Sequence, residues 1–374
     1  MNDNRPIRIG IIGTHYATAV QVPAFRALPE FEIAAITSGR YERAQKAASE
    51  LGIPRAFENY QELLRSPEID AVYIGAPPAL HCEMAVAAAM AGKHFLCEKP
   101  TASSATEALT MLQAAQAAGV VAMMDFEFRY RPERRHMAQM VKSGYLGRPF
   151  GVHCETFSGF LLGPERYWNW WSERSQAGGL LGAAGSHLID NLRMCFGEVR
   201  SVRAQLNTGI GERPTAKGEP ARKVDSDDSF SVLFEFESGM WGSLIGSGLC
   251  TVATQNRTRA YGSSGSLLLT EPFGAAGRIT GDLSGSDSTL VGGLPDGSTV
   301  RLSPPPELAS SGADIEERIR LSALLCRDFA QAIRKGSADA PTLLDGLRCQ
   351  EIMDAVYASS ATGRVTEVTR HNGN

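Results

Sequence analysis

"IRIGIIGTHYAT", residues 7–18, is an apolar, β-branched run that ends in a glycine and passes into a stretch of helical composition. A short run of this kind, bounded by a glycine turn, is what a strand buried in a parallel sheet requires. The turn is a partial match to the pattern G-x-G-x-x-G. In that pattern the first glycine makes the tight turn, the second lets the backbone approach a pyrophosphate, and the third lets helix and strand pack closely. Those positions hold Gly13, His15 and Thr18, so only the first is kept. What survives is a strand, a turn and a helix start whose first N–H groups, from Thr14 to Ala17, can hold an anion. The ring of His15 is able to turn outward and donate to a phosphate oxygen. Equally, it is able to fill space beside a structural turn, and the motif alone leaves both readings open.

Working outward, strand and helix alternate up to residue 124. "FEIAAIT", "AVYIGA", "HFLCEK" and "VVAMMDF" read as strands. Between them "ATAVQVPAFRALP", "RYERAQKAASELG", "HCEMAVAAAMAGK" and "TEALTMLQAAQAAG" read as helices, with Gly52 and Gly92 as stops. Strands separated by helices of 10–15 residues imply right-handed crossovers, so residues 1–124 are predicted to form an α/β Rossmann domain with a doubly wound parallel sheet. From residue 125 the pattern changes. "FGVHCETFSGF", "VRSVRAQLN", "SFSVLFEFESG", "MWGSLIGSGL", "TRAYGSSGSLLLTE" and "STVRLS" are alternating or β-rich runs divided by Gly and Ser turns. Residues 125–374 are therefore predicted to be an α+β domain with a large, mostly antiparallel open sheet. It is interrupted by a helix from Gly185 to Phe196 and closed by two helices, which are able to pack back on the first domain. Phe273–Pro306, rich in Gly, Ser, Asp and Pro, reads as a mobile meander.

Composition narrows the function. Of 374 residues, 43% are hydrophobic and 21% charged, with a net charge of −4 and both signs interspersed. No basic field is present to recruit nucleic acid or an anionic membrane, which leaves a small-molecule substrate as the expected partner. No apolar run approaches the ~20 residues that cross a bilayer, and the N-terminus lacks a secretory pattern, so a soluble cytoplasmic protein is expected. Cys82, Cys97, Cys154, Cys195, Cys250, Cys326 and Cys349 form no Cys-x-x-Cys pair and are odd in number. They read as buried thiols, with neither disulfides nor a metal site.

The end of the second strand bears on nucleotide type. An NAD site wants an Asp or Glu about 20 residues past the glycine turn, to bond the ribose 2′-hydroxyl. Here the chain has Thr37, Ser38, Gly39 and Arg40, with Arg43 one turn later. Arginines in the first turn of a helix oppose its macrodipole, usually by a few tenths to about 1 kcal/mol. A bound 2′-phosphate would offset that cost, so NADP(H) is favoured and NAD(H) remains possible. The alternative is that Arg40 and Arg43 are simply solvated, with Glu42 softening the penalty.

"AGKHFLCEKP" (91–100) and "GAPPALH" (75–81) are followed in order by "FRYRP" (128–132), "GSHLID" (185–190) and "APTLLDGLRCQEIMDAVYASSATGR" (340–364). Over nearly the whole chain this series resembles the Gfo/Idh/MocA family of nicotinamide-dependent oxidoreductases. The family's A-G-K-H-x-x-x-E-K-P motif is matched by Ala91, Gly92, Lys93, His94, Glu98, Lys99 and Pro100. Members vary at the second glycine, so the resemblance makes the nucleotide site the expected one.

The resemblance implies hydride transfer between nicotinamide and a sugar, polyol or related hydroxy/keto compound. Lys99 is then expected to hold the substrate oxygen, with Glu98 orienting it and Pro100 fixing the turn through a cis bond. His187 matches the family's acid/base histidine. Gly13, Thr14, His15, Ser38, Arg40, Arg43, Ala76, Pro77, His81, Glu98 and Lys99 are the expected cofactor contacts. Lys99, His187, Arg129, Tyr167 and Trp170 are the expected substrate contacts, the aromatic cluster "RYWNWW" (166–171) suiting the C–H faces of a sugar. One departure stands out. Many relatives carry an aspartate four residues before the histidine, where this chain has Ala183. Asp190, at i+3, is a candidate replacement, or else it faces the sheet. Two other functions stay open: a non-catalytic nucleotide sensor, for which Ala183 argues, and a glycoside hydrolase that oxidises and re-reduces its sugar on a retained cofactor. An open sheet with one uncovered face further implies a homo-dimer or homo-tetramer.

Overall fold

In the computed structural model, which describes residues 5–163, 165–252, 255–272, 288–308, 316–339 and 341–372, the chain divides into two units. The first comprises Met1–Tyr130, Ser311–Gln350 and His371–Asn374, and the second Arg131–Ser310 and Glu351–Arg370. The helices, in chain order, are α1 Val22–Arg26, α2 Tyr41–Leu51, α3 Tyr60–Arg65, α4 His81–Met90, α5 Ala105–Ala118, α6 Pro132–Lys142, α7 Ser186–Phe196, α8 Glu317–Lys335 and α9 Leu343–Thr362.

The first unit is built on six parallel strands: β1 Ile7–Ile12, β2 Phe31–Thr37, β3 Arg55–Phe57, β4 Ala71–Ile74, β5 His94–Cys97 and β6 Ala122–Met124. Their spatial order is β3-β2-β1-β4-β5-β6, the doubly wound arrangement whose order reverses between β1 and β4. Ile9, Ile11, Tyr73 and Leu96 on the strands are fully buried, as strands covered on both faces must be. Asn59 and Ser104 cap α3 and α5 by accepting the N–H of Glu62 and Glu107, and left-handed Gly52 and Gly119 end α2 and α5. The first helix departs from its expected form. A π-helical turn, Ala17–Gln21, precedes the short α1, in which Pro23 occupies the opening turn. A proline within a continuous α-helix would clash with the carbonyl four residues earlier, and the wider π turn ends before it.

The unit also claims C-terminal sequence. Leu321, Leu325 and Phe329 of α8 lie in the same core as Ile9 and Phe25, and Phe31 stacks on Phe329 with centroids 6.2 Å apart. The division falls at Tyr130 and not at 124, because Tyr130 is held in the first unit by donating to Asp328 of α8 (2.5 Å).

The second unit contains β7 Pro149–Phe157, β8 Val199–Asn207, β9 Glu212–Pro214, β10 Ala221–Lys223, β11 Ser229–Phe236, β12 Trp241–Ser247, β13 Gln255–Gly262, β14 Ser266–Pro272, β15 Thr289–Gly293, β16 Thr299–Arg301 and β17 Thr366–Glu367. Nine of them form one sheet, β16-β15-β14-β13-β7-β12-β11-β8-β17, and β9 and β10 make a separate hairpin. Only the β7–β12 pair is parallel. Period-two alternation fixes the faces: Phe230, Val232, Phe234, Leu244, Val152, Cys154 and Ala260 are buried on one side. Each such large side chain contributes about 1.5–3 kcal/mol, so a one-residue slip in register is strongly disfavoured. Arg131 and Arg134 at the start of α6 both pair with Glu271 of β14, all three about 1% exposed, at 3.2 and 2.7 Å. Of the expected meander, residues 273–287 lie outside the described residues, while 288–301 contains the regular β15–β16 hairpin. All seven cysteines are free thiols. Among the described residues no helix is long and apolar enough to cross a membrane, and no cluster of metal-ligating side chains occurs.

Candidate active site

In the first unit the expected cofactor residues collect at the C-terminal edge of the parallel sheet. Gly13 has φ +120°, and a Cβ there would come within 2.5 Å of the Gly75 carbonyl oxygen. The turns after β1 and β4 thus approach as closely as two glycines allow. The Gly13 N–H donates to the Thr37 carbonyl (2.8 Å) and that of Gly75 to the Ile12 carbonyl (2.8 Å), which pins three strand ends together. Thr14 is half-buried and His15 exposed, so the residue in the second-glycine position presents its ring to solvent. Thr18 donates its hydroxyl to the Thr14 carbonyl (2.8 Å), holding the turn from below.

At the end of β2, Thr37 is buried and donates to the Phe57 carbonyl, which removes it from the ligand side. Ser38 turns back to donate to the Arg40 carbonyl (2.6 Å). Arg40 occupies the N-cap of α2 and Arg43 its first turn, both exposed. Among the described residues neither guanidinium is in an ion pair. A glycine turn at one strand end and two solvent-facing cations at the next form a donor set that fits a phosphorylated dinucleotide. When bound, such a cofactor supplies the hydride donor or acceptor, and the protein supplies position and charge.

Ala76 and Pro77 lie half-buried in the turn after β4. His81, expected beside them as a contact, is different. Its ring is fully buried, with Nδ1 3.0 Å from the Pro100 carbonyl and Nε2 2.9 Å from that of Ala76. Burial pushes its pKa down against these carbonyls and Glu98. The ring braces two turns and has no nitrogen left for a ligand. Arg129 is corrected in the same way. Its Nη2 lies 3.0 Å from Asp345 Oδ1 and its side chain is 11% exposed, so it fastens the start of α9 within the first unit.

Glu98 and Lys99 follow β5 directly, and the Lys99–Pro100 peptide is cis. Glu98 Oε1 accepts from Tyr73 (2.6 Å) and Oε2 from the Lys99 backbone N–H (3.2 Å), while the Lys99 side chain is half-buried. Sequence reasoning missed two further acids here. Asp125 ends β6 and Glu127 opens the 3-10 turn Glu127–Tyr130, 0% and 3% exposed. Their signal was the string "DFEFRY" placed one strand away from "CEKP".

In the second unit His187 is the second residue of α7, 5% exposed, and a π-helical turn, Leu181–Gly185, leads into that helix. π turns of this sort are frequent at functional sites. The start of the segment is anchored by Asp227, whose Oδ2 accepts from the Leu181 N–H (2.7 Å) while its backbone carbonyl accepts from Leu180 (2.9 Å). Gly179, at φ +115°, is required next to it, since a Cβ would stand 2.3 Å from Asp227 Oδ1. Ala183 is half-buried in the π turn. Asp190, one turn further along α7, is buried.

The aromatic side chains of the cluster are half-buried, and Asn169 between them is exposed. Trp168 donates to the Lys223 carbonyl (3.0 Å) under the Arg222 guanidinium, and Trp170 leans on Trp171 with centroids 5.5 Å apart. Tyr167 lines a narrow cleft with Arg166, Asn169, Trp171, Arg213 and Asp227, of about 20 Å³. That is room for about one water, so the cleft holds no sugar by itself.

A family model described as "Oxidoreductase family, NAD-binding Rossmann fold" matches residues 7–126, and one described as "GFO/IDH/MocA C-terminal domain" matches residues 134–268. The 1,5-anhydro-D-fructose reductase of Ensifer adhaerens is 32% identical over 250 residues, 62% of this chain and 74% of that one. Levoglucosan dehydrogenase of Pseudarthrobacter phenanthrenivorans is 28% identical over 392 residues, 95% of this chain and 96% of that one. A solved structure of levoglucosan dehydrogenase in complex with NADH superposes with a TM-score of 0.86 at 25% identity, covering 98% of this chain and all of that chain. The chain belongs to the Gfo/Idh/MocA family and is an NAD(P)-dependent oxidoreductase.

Proposed function

We propose that the substrate is a sugar, a polyol or a related hydroxy/keto compound, and that NADP(H) is the preferred cofactor. The substrate class is supported by the sugar-directed names of the two relatives, and the reaction type by the family. The observation that carries the cofactor preference is the end of β2, where no carboxylate stands and Arg40 and Arg43 face solvent at the N-terminus of α2. A 2′-phosphate would gain charge-assisted hydrogen bonds there, whereas a 2′-hydroxyl would find no acceptor.

In this reading Lys99 places its ammonium on the substrate oxygen and stabilises the charge that develops as the carbon gains or loses hydride. His187 accepts the hydroxyl proton in oxidation and returns it in reduction. His15 adds a donor toward phosphate, and Tyr167 and Trp170 offer ring faces to the substrate. The chain acts as a homo-dimer or homo-tetramer through the outer face of the nine-stranded sheet.

Side-by-side dissociation constants test the cofactor assignment. NADP(H) is expected to bind at least about tenfold more tightly than NAD(H), and Arg40→Ala to erase most of that difference, since two charge-assisted bonds are worth about 1.5–3 kcal/mol each. Equal or tighter binding of NAD(H) to the unaltered protein contradicts it.

A further inference from the structure

Three carboxyl groups stand together at the C-terminal edge of the parallel sheet. Glu98 follows β5 and Asp125 follows β6, and the Asp125 N–H donates to the Cys97 carbonyl (2.7 Å), which holds the two strand ends side by side. Glu127 is two residues further on, and all three are 9% exposed or less. Donors to them include the Tyr73 hydroxyl and the Lys99 backbone N–H for Glu98, the Gln21 amide for Asp125, and the Tyr16 hydroxyl (3.3 Å) for Glu127. The cation whose charge reaches Asp125 and Glu127 is Lys99. Arg129, on the same turn as Glu127, is committed to Asp345, and Arg318 of α8 faces Tyr16. Cys97 and Cys326 border Asp125 as thiols that burial keeps protonated.

Three ionised carboxylates facing one ammonium in a dry setting are far more costly than a cluster that retains a proton. Asp125 is the group placed to keep it. It is the most buried of the three, and its Oδ1 accepts from no described protein donor while its carboxyl lies within hydrogen-bonding reach of Glu98. Burial, then the charges of Glu98 and Glu127, push its pKa well above the carboxylate range. Burial and the Glu98 charge likewise push Glu127 up to about 7, with Lys99 and Tyr16 holding it down.

We propose that Asp125 is a standing carboxylic acid that donates to Glu98, and that Glu127 is a positioning residue for Lys99, exchanging one proton with solvent and so setting how tightly the cluster holds the ammonium. The proposal rests on the reading of Lys99 as the group that holds the substrate oxygen. With Glu127 protonated, Glu98 alone balances Lys99, and the ammonium is left to the substrate. With Glu127 ionised, two carboxylates share the ammonium and its hold on the substrate oxygen weakens.

Infrared spectroscopy of the whole protein reads both protons without turnover. The spectrum of the unaltered protein minus that of Asp125→Asn, at about pH 8.5, is expected to contain the C=O stretch of a protonated carboxylic acid. A pH titration is expected to show one carboxyl changing state near neutrality, absent in Glu127→Gln. Lys99→Met is expected to move that midpoint upward by about one pH unit or more, a tenfold change in proton affinity. Absence of the acid band, persistence of the titration in Glu127→Gln, or an unmoved midpoint in Lys99→Met overturns the proposal. Should Asp125→Asn fail to fold, the other two variants still decide the role of Glu127. Turnover of Lys99→Met is measured alongside: a shifted midpoint with unimpaired turnover upholds the cluster and overturns the catalytic reading of Lys99.

Discussion

Asp227 supports the His187 helix at a cost in stability. Its carboxyl is buried, and burial outweighs the Leu181 and Leu180 contacts, pushing its pKa to about 6. A carboxyl whose folded pKa exceeds its unfolded value of 3.8 binds the proton more tightly when folded, so stability falls as pH rises through the interval between them. The contribution is nil below the unfolded value and reaches a penalty of about 3 kcal/mol above the folded one. Asp227→Asn, still able to accept from Leu181, is expected to flatten that interval in urea denaturation series at about pH 4 and pH 7. An unchanged slope refutes the assignment. Single residues were unevenly legible in the sequence. Lys99, Glu98 and the arginines at the start of α2 were singled out because a motif or a missing carboxylate marked them. His81 and Arg129 matched motifs too, but their partners, Ala76, Pro100 and Asp345, are set by three-dimensional packing. Asp125 and Glu127 stand in the string "DFEFRY", but only the pairing of β5 with β6 brings them beside Glu98.

Strands and helices were more legible than the contacts between them. The period-two runs of β7, β8, β11 and β12 and the helix stops at Gly52 and Gly92 are local signals, and they appear where the sequence puts them. The return of α8 to the first unit was left open, because nothing local in an amphipathic helix states which sheet it covers. The same alternation that builds the second sheet leaves one face uncovered. Leu233, Trp241 and Ile245 are 52%, 49% and 42% exposed on it, and His153 packs between Trp241 and Tyr261. Exposed apolar side chains of this kind suit the proposed interface between copies of the chain. Sedimentation is expected to give a dimer or tetramer, and the double variant Trp241→Arg with Ile245→Arg a monomer with unchanged circular dichroism. A monomeric unaltered protein contradicts the reading.

The chain as a whole combines a doubly wound nucleotide-binding unit with an open-sheet unit, and family membership follows from both halves. Ala183 stands four residues before His187, where the family resemblance leads one to expect an aspartate, yet the strand-end motif with Lys99 is intact, and Asp125 and Glu127 follow the neighbouring strand β6. The account therefore turns on Lys99. The direct measurement is nicotinamide absorbance with the best substrate from a panel of sugars, polyols and keto-sugars, comparing the unaltered protein with Lys99→Met at equal cofactor saturation. Loss of the oxygen-holding ammonium is expected to lower kcat by about 10²–10³-fold while the cofactor dissociation constant changes little. Retention of kcat within a few-fold in a folded Lys99→Met protein would contradict the account.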